Sequence, residues 1–61
     1  MTIAVLCYDT AEVDIIRDAP NFKTDEETEA WLVEHCNYNP DNIYWMSGKI
    51  RVNELTPEDF G

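Results

Sequence analysis

Residues Thr2 to Tyr8 form a short apolar run that has no polar face. In an extended chain, Ile3 and Val5 point to one side of this run, and Ala4 and Leu6 point to the other. A strand that is apolar on both sides is typical of the centre of a sheet. The run therefore predicts a central strand, and the rest of the chain must supply its neighbours and its cover.

The residues that follow the central strand predict a hairpin. A turn is expected at Asp9 to Glu12, and Val13 to Arg17 comes next, with Val13 and Ile15 alternating with Asp14. This alternation is typical of a strand with one polar side. We expect the first two strands to pair on one flank of the sheet.

A second hairpin is expected near the end of the chain. Ile43 to Met46 is rich in residues that favour strands, and Ser47 and Gly48 indicate a turn. Lys49 to Leu55 follows, with apolar and polar residues alternating at its start. The pattern predicts two strands here, one of which flanks the central strand.

A single helix is predicted from Thr24 to Cys36. Thr24 and Glu27 have the spacing of a capping box, in which the Thr hydroxyl and the Glu carboxylate each accept from the other residue's amide. The helix side that is expected to face the core comprises Thr28, Trp31, Leu32 and His35. Within it, Trp31 and Leu32 should anchor the core.

These elements predict an α+β fold: a small ββαββ domain whose mainly antiparallel sheet has one helix packed on one face. The 61 residues are expected to form a single domain, residues 1–61. A chain of this length buries only about 60% of the surface that its unfolded form exposes, so the core must be thin.

The charge of the chain excludes several classes of partner. Thirteen acidic residues against four Lys and Arg give a formal net charge of −9. This charge repels phosphate backbones and anionic lipid surfaces, and it attracts basic partners. We expect no direct nucleic-acid binding and no membrane binding, and the absence of a signal-peptide pattern indicates a cytoplasmic protein.

No residue pattern indicates an active site. Cys36 lies beside His35, but adjacent helical residues do not face each other, so a nucleophile and base pair is not favoured. No metal-ligand spacing joins these residues to Cys7, and both cysteines are expected to pack as reduced thiols. We therefore assign no catalytic residues, no cofactor and no metal, and an enzyme is not the favoured interpretation.

One feature of the predicted fold indicates an interaction surface. A single helix can cover only one face of the sheet, and the other face should receive several apolar side chains. Depending on strand register, these come from Ala4, Leu6, Tyr8, Ile16, Tyr44 and Met46. Such patches are typical of interfaces, and we single out Tyr8, Tyr44 and Met46 as candidate contacts with a protein partner or a second copy.

The favoured function is thus a small acidic protein-binding or regulatory module, such as an adaptor, an inhibitor or an immunity-type protein. The alternative is a small-ligand or metal-binding protein, or a subunit of an oligomeric enzyme. A third hypothesis is a mimic of nucleic acid, which requires carboxylates spaced like phosphates on one surface.

Three segments resemble short uncharacterised proteins of gut anaerobic bacteria and their mobile elements. They are Tyr8 to Thr10, Val13 to Ile16 and Asp41 to Met46. The resemblance implies a hairpin, an acidic helix and a second hairpin over most of the chain. It implies no activity and no functional residues.

Overall fold

The fold is a three-stranded sheet with one helix. The computed structural model describes residues 1 to 61. The elements are β1 (Thr2–Cys7), β2 (Glu12–Ile16), α1 (Asp25–Glu34) and β3 (Ile43–Gly48), with 3-10 turns at Pro40–Asn42 and Pro57–Phe60. The predicted small α+β class is confirmed, and the number of strands is not.

The sheet has the order β2-β1-β3, and β1 is antiparallel to both neighbours. The two-sided apolar run therefore occupies the central position, as predicted. Its residue Ile3 pairs with Ile16 on one side and with Ser47 on the other. Val5 pairs in the same way with Asp14 and Trp45. Because paired residues point to the same side of a sheet, this register decides which side chains share a face.

The helix begins where the capping pattern predicts. Thr24 is extended, and its Oγ1 accepts a 3.2 Å hydrogen bond from the Glu27 amide. The reciprocal hydrogen bond, in which the Thr24 amide would donate to the Glu27 carboxylate, does not form. At the other end, the His35 amide donates to the Trp31 carbonyl, and Asn37 has a left-handed φ of 60° that ends the helix.

The core lies between α1 and one face of the sheet. Its fully buried side chains are Ile3, Val5 and Leu32, and Ala19 completes the cluster. Leu32 is thus one of the two core anchors that the sequence predicts. Trp31 is only half-buried, and it packs at the edge of this cluster with its ring centroid 5.8 Å from that of Phe22.

The predicted fourth strand is absent, so the ββαββ prediction is wrong and the order is ββαβ. Ser47 and Gly48 do not form a turn, because they extend β3 and pair with Ile3 and Thr2. Residues 49–56 have no regular structure. A helix is about 10 Å wide and strands are about 4.8 Å apart, so one helix covers about three strands. A fourth strand would lie outside that cover.

Candidate interaction surface

The side of the sheet that faces away from α1 carries no charged residue at any strand position. Because Ile3 and Val5 lie beneath the helix, the residues that alternate with them point to the opposite side. We call this side the open face, and its strand positions are Thr2, Ala4, Leu6, Val13, Ile15, Tyr44, Met46 and Gly48. This surface is thus uncharged in a chain whose net charge is −9.

The three residues predicted as contacts are all exposed on this side. Tyr44 is 68% exposed, Met46 is 56% exposed and Tyr8 is 60% exposed. Tyr8 follows the last residue of β1, and its amide donates a 2.9 Å hydrogen bond to the Asn42 carbonyl, which continues the pairing beyond the strand. The structure therefore brings the three side chains to one surface.

The two tyrosines form one end of a shallow apolar groove. The ring centroids of Tyr8 and Tyr44 are 6.2 Å apart, and the rings meet edge to face at 85°. This arrangement is favourable for aromatic pairs. The groove encloses about 330 Å³ and is lined by Leu6, Tyr8, Tyr44, Trp45 and Met46.

The register corrects the expected membership of the open face. Ile16 was expected there, but it pairs with Ile3 and packs against the core beneath the helix. Val13 and Ile15 occupy the open face instead, and Val13 is 63% exposed. The alternation of Val13 and Ile15 with Asp14 was a signal that these two share a side. It could not show which side the helix covers.

The opposite side of β2 contributes to an acidic cleft at the edge of the core. Asp14 is half-buried there, and its carboxylate accepts a 2.8 Å hydrogen bond from the Tyr38 hydroxyl. The Cys7 thiol lies 3.7 Å from the same carboxylate oxygen. The cleft encloses about 300 Å³, and Asp9 and Glu12 add further acidic groups to its lining.

The pKa values of the Tyr38 hydroxyl and the Cys7 thiol are both raised in this cleft. Partial burial, then the hydrogen bond to Asp14 and its negative charge, raise the pKa of Tyr38 well above the ordinary value of 10.0. Partial burial, followed by the charge of Asp14, raises the pKa of Cys7 above 9.0. Both groups therefore stay neutral near pH 7. A neutral thiol is a poor nucleophile and a poor metal ligand.

The second cysteine is also in an environment that disfavours the thiolate. Cys36 is half-buried against the core, and burial raises its pKa above 9.0. His35 is exposed, and its ring centroid lies 6.3 Å from that of Trp31. Both cysteines are free thiols. Nothing in this geometry activates Cys36.

No group of three or more His, Cys, Asp and Glu side chains is arranged to hold a metal ion. None of the helical segments has the length and apolar character needed to span a bilayer. Comparison of the chain with protein-family models, curated proteins and solved structures gives no match. The resemblance to proteins of gut anaerobes therefore stays a prediction.

Proposed function

We propose that this chain is a small acidic protein-binding or regulatory module, of the adaptor, inhibitor or immunity type, that acts through the open face. The observation that carries the proposal is that the charged strand residues and the exposed apolar strand residues lie on opposite sides of the sheet. The strand carboxylates of Glu12 and Asp14 point to the helix side, and the open face has apolar and aromatic side chains. Interface cores are depleted in charge and enriched in Tyr and Met in the same way.

The exposed fractions of the apolar side chains on the open face support binding more strongly than the residue types do. Tyr8, Val13, Tyr44 and Met46 are each more than half exposed, although an apolar side chain is stabilised by burial. Contiguous apolar patches of a few hundred Å² on small proteins are typical of interaction sites. The partner is either another protein or a second copy of the chain, and it covers the open face.

The decisive experiment compares two exposed aromatic residues, one in the open face and one outside it. Tyr44→Lys places a charge in the open face, and Phe60→Lys places the same charge in the C-terminal turn, where Phe60 is 78% exposed. Immobilised wild type and each variant are incubated with lysate of the cells in which the protein naturally occurs. Captured proteins are identified by mass spectrometry. Self-association is measured in parallel by sedimentation equilibrium.

We expect Tyr44→Lys to lose the captured protein or the self-association, and Phe60→Lys to keep it. Urea unfolding of both variants verifies that they are folded. The proposal is overturned when wild type neither self-associates nor captures any protein whose binding depends on Tyr44.

The acidic cleft is the feature that favours the alternative, a small-ligand or metal-binding protein or an enzyme subunit. The half-buried Asp14 carboxylate lies in this cleft and already accepts a hydrogen bond from the Tyr38 hydroxyl. Calorimetric titration with Zn²⁺ and Ca²⁺, using wild type and Asp14→Asn, tests this alternative. Saturable binding by wild type that Asp14→Asn lacks would support it.

A further inference from the structure

The outer edge of β3 has backbone groups without a hydrogen-bond partner. β3 pairs only with β1, so one side of its backbone has no neighbouring strand. The Tyr8 amide donates to the Asn42 carbonyl, and the groups that face the neighbour alternate along an antiparallel strand. The N–H and C=O groups of Ile43, Trp45 and Ser47 therefore point away from β1, and we call them the β3 edge. No backbone hydrogen bond from a loop or turn reaches them.

β3 also lacks the features that normally prevent an edge strand from pairing with another chain. Those features are charged side chains, proline, bulges and a short strand. β3 has six residues, none of which is charged or proline, and it pairs with β1 over its whole length without a bulge. The strand at the opposite edge, β2, has five residues and includes Glu12 and Asp14.

The chain that follows β3 does not protect this edge. Every residue from Arg51 to Gly61 is exposed. The hydrogen bonds of this segment lie within its own C-terminal turn. The β3 edge is therefore accessible to the backbone of another chain.

An added strand would place its side chains beside those of β3, because paired residues point to the same side of a sheet. On the open face its neighbours are Tyr44 and Met46, which are 68% and 56% exposed. Covering these side chains with apolar groups removes apolar surface from water. The residues of the added strand that point to the open face are therefore apolar.

The other row of side chains on the added strand would point to the side that carries the charge. Glu12 and Asp14 point to this side, and α1, which packs on it, has five acidic residues and no Lys or Arg. One helix covers about three strands, so a fourth strand would lie beside α1 and not beneath it. Lys and Arg are the residues that this acidic side attracts.

We infer that the β3 edge binds, by strand addition, an extended segment of another protein in which apolar and basic residues alternate. This inference rests on the proposed function and names the class of partner and its mode of binding. Hydrogen bonds to Ile43, Trp45 and Ser47 give affinity for any extended backbone, and the alternating side chains give specificity. The net charge of −9 attracts such a segment, whereas it repels a second copy of the chain.

The test is an NMR titration of the isotopically labelled full chain with a capped peptide of about six residues in which Val and Lys alternate. One control peptide has the same residues in two blocks, which keeps the charge and the composition and removes the alternation. A second control peptide has Glu in place of Lys. Each peptide is added up to about 1 mM in about 0.15 M salt, and the first is repeated in about 1 M salt.

The matched protein variants are Ser47→Pro and Ser47→Ala. Ser47 is exposed, and its N–H points away from β1, so proline removes an edge donor without removing a hydrogen bond of the sheet. Alanine removes the hydroxyl and keeps the donor. Urea unfolding verifies that both variants are folded, and the titration of wild type locates the contact without any substitution.

We expect the alternating Val and Lys peptide to shift the amide signals of Ile43, Trp45 and Ser47 and to slow their hydrogen exchange. Both control peptides should bind about tenfold more weakly or less, because they lose the alternation or repel the acidic side. Ser47→Pro should weaken binding about fivefold or more relative to Ser47→Ala. Binding should also weaken in about 1 M salt, which screens the attraction.

The inference is overturned when the alternating peptide does not bind at about 1 mM, or binds no better than the block peptide. It is also overturned when the shifted amides are those of Val13 and Ile15, which point outward at the β2 edge. Shifts of the β3 edge that depend on protein concentration without peptide would identify a second copy as the occupant and would overturn it too.

The proposed function is judged separately by the Tyr44-dependent capture experiment. A captured partner that binds Ser47→Pro as well as Ser47→Ala keeps the proposed function and removes strand addition. Peptide binding at the β3 edge without any Tyr44-dependent capture or self-association supports the edge site and removes the proposed function. Loss of both results removes both proposals.

Discussion

The Tyr38 hydroxyl donates a 2.8 Å hydrogen bond to the Asp14 carboxylate and so connects β2 to the segment that follows the helix. The two residues are 24 positions apart in sequence, and both are half-buried. A hydrogen bond to a charged acceptor contributes more than a neutral one, and partial exposure to water reduces that contribution. This contact is the only side-chain hydrogen bond that joins the sheet edge to the loop after α1.

Tyr38→Phe is expected to lower the free energy of unfolding by about 1 kcal/mol, because it leaves the half-buried Asp14 carboxylate without its hydroxyl donor. Urea unfolding at pH 7 measures the change. Tyr44→Phe is the matched control at low protein concentration, since its side chain is 68% exposed. Equal midpoints for the two variants would show that the hydrogen bond does not stabilise the fold.

Alkaline pH should destabilise the protein through the same residue. The pKa of Tyr38 is raised in the folded state, so its stabilising contribution is complete below the ordinary value of 10.0 and is lost as pH rises above it. Unfolding curves from about pH 9 to about pH 11.5 should show a steeper loss for wild type than for Tyr38→Phe. The two cysteines titrate in both proteins, so the difference between the curves belongs to Tyr38. Parallel curves would contradict this prediction.

Leu32→Ala is expected to cost about 2–5 kcal/mol, because it leaves a cavity at the fully buried anchor of the helix. Trp31→Ala should cost less than the 3–5 kcal/mol typical of a buried aromatic, since the Trp31 side chain is partly exposed at the core edge. Thermal and urea unfolding give both values. A larger loss for Trp31→Ala than for Leu32→Ala would mean that the packing of α1 is wrongly described.

Thr24→Ala should destabilise the domain by about 1 kcal/mol, because the first turn of α1 loses the acceptor of the Glu27 amide. Thr56→Ala is the matched control. Thr56 hydrogen-bonds Asp59 in the C-terminal 3-10 turn, whose residues are all exposed. Its replacement should leave the urea midpoint within about 0.3 kcal/mol of wild type, and a similar shift for both would contradict the assignment.

Removal of Arg51 to Gly61 should change the free energy of unfolding by less than about 1 kcal/mol, because every residue in this range is exposed and none belongs to the sheet. Limited proteolysis should cleave within the same range first. A large loss of stability on truncation would instead indicate that Lys49 to Leu55 contributes a strand, as its alternating pattern predicts.

The parts of the fold that were predictable depend on local patterns. The two-sided apolar run predicts the central place of β1, and the Thr24 cap predicts the start of α1 to the residue. Each of these signals is contained in a few neighbouring residues. To these local predictions the structure adds little beyond the pairing partners of β1 and the residues that pack against α1.

The number of strands and the sides to which their residues point were not predictable, because both depend on which strands pair with each other. Ile50 and Val52 alternate with polar residues as strand residues do. However, Ser47 and Gly48 pair with β1, so they cannot form the turn of the predicted second hairpin. The faces are ambiguous for a similar reason. Ile15 and Ile16 are equally apolar, and only the pairing of Ile16 with Ile3 places it beneath the helix.

The central position of β1 also governs the order in which the protein can assemble during synthesis. β1 is made first and can pair with β2 early, but its other edge stays unpaired until β3, the last strand, has been translated. During that interval β1 has one unpaired apolar edge, which is the situation that favours misassociation between nascent chains. The acidic helix is translated within the same interval, and its negative charge opposes contact between neighbouring unfinished chains.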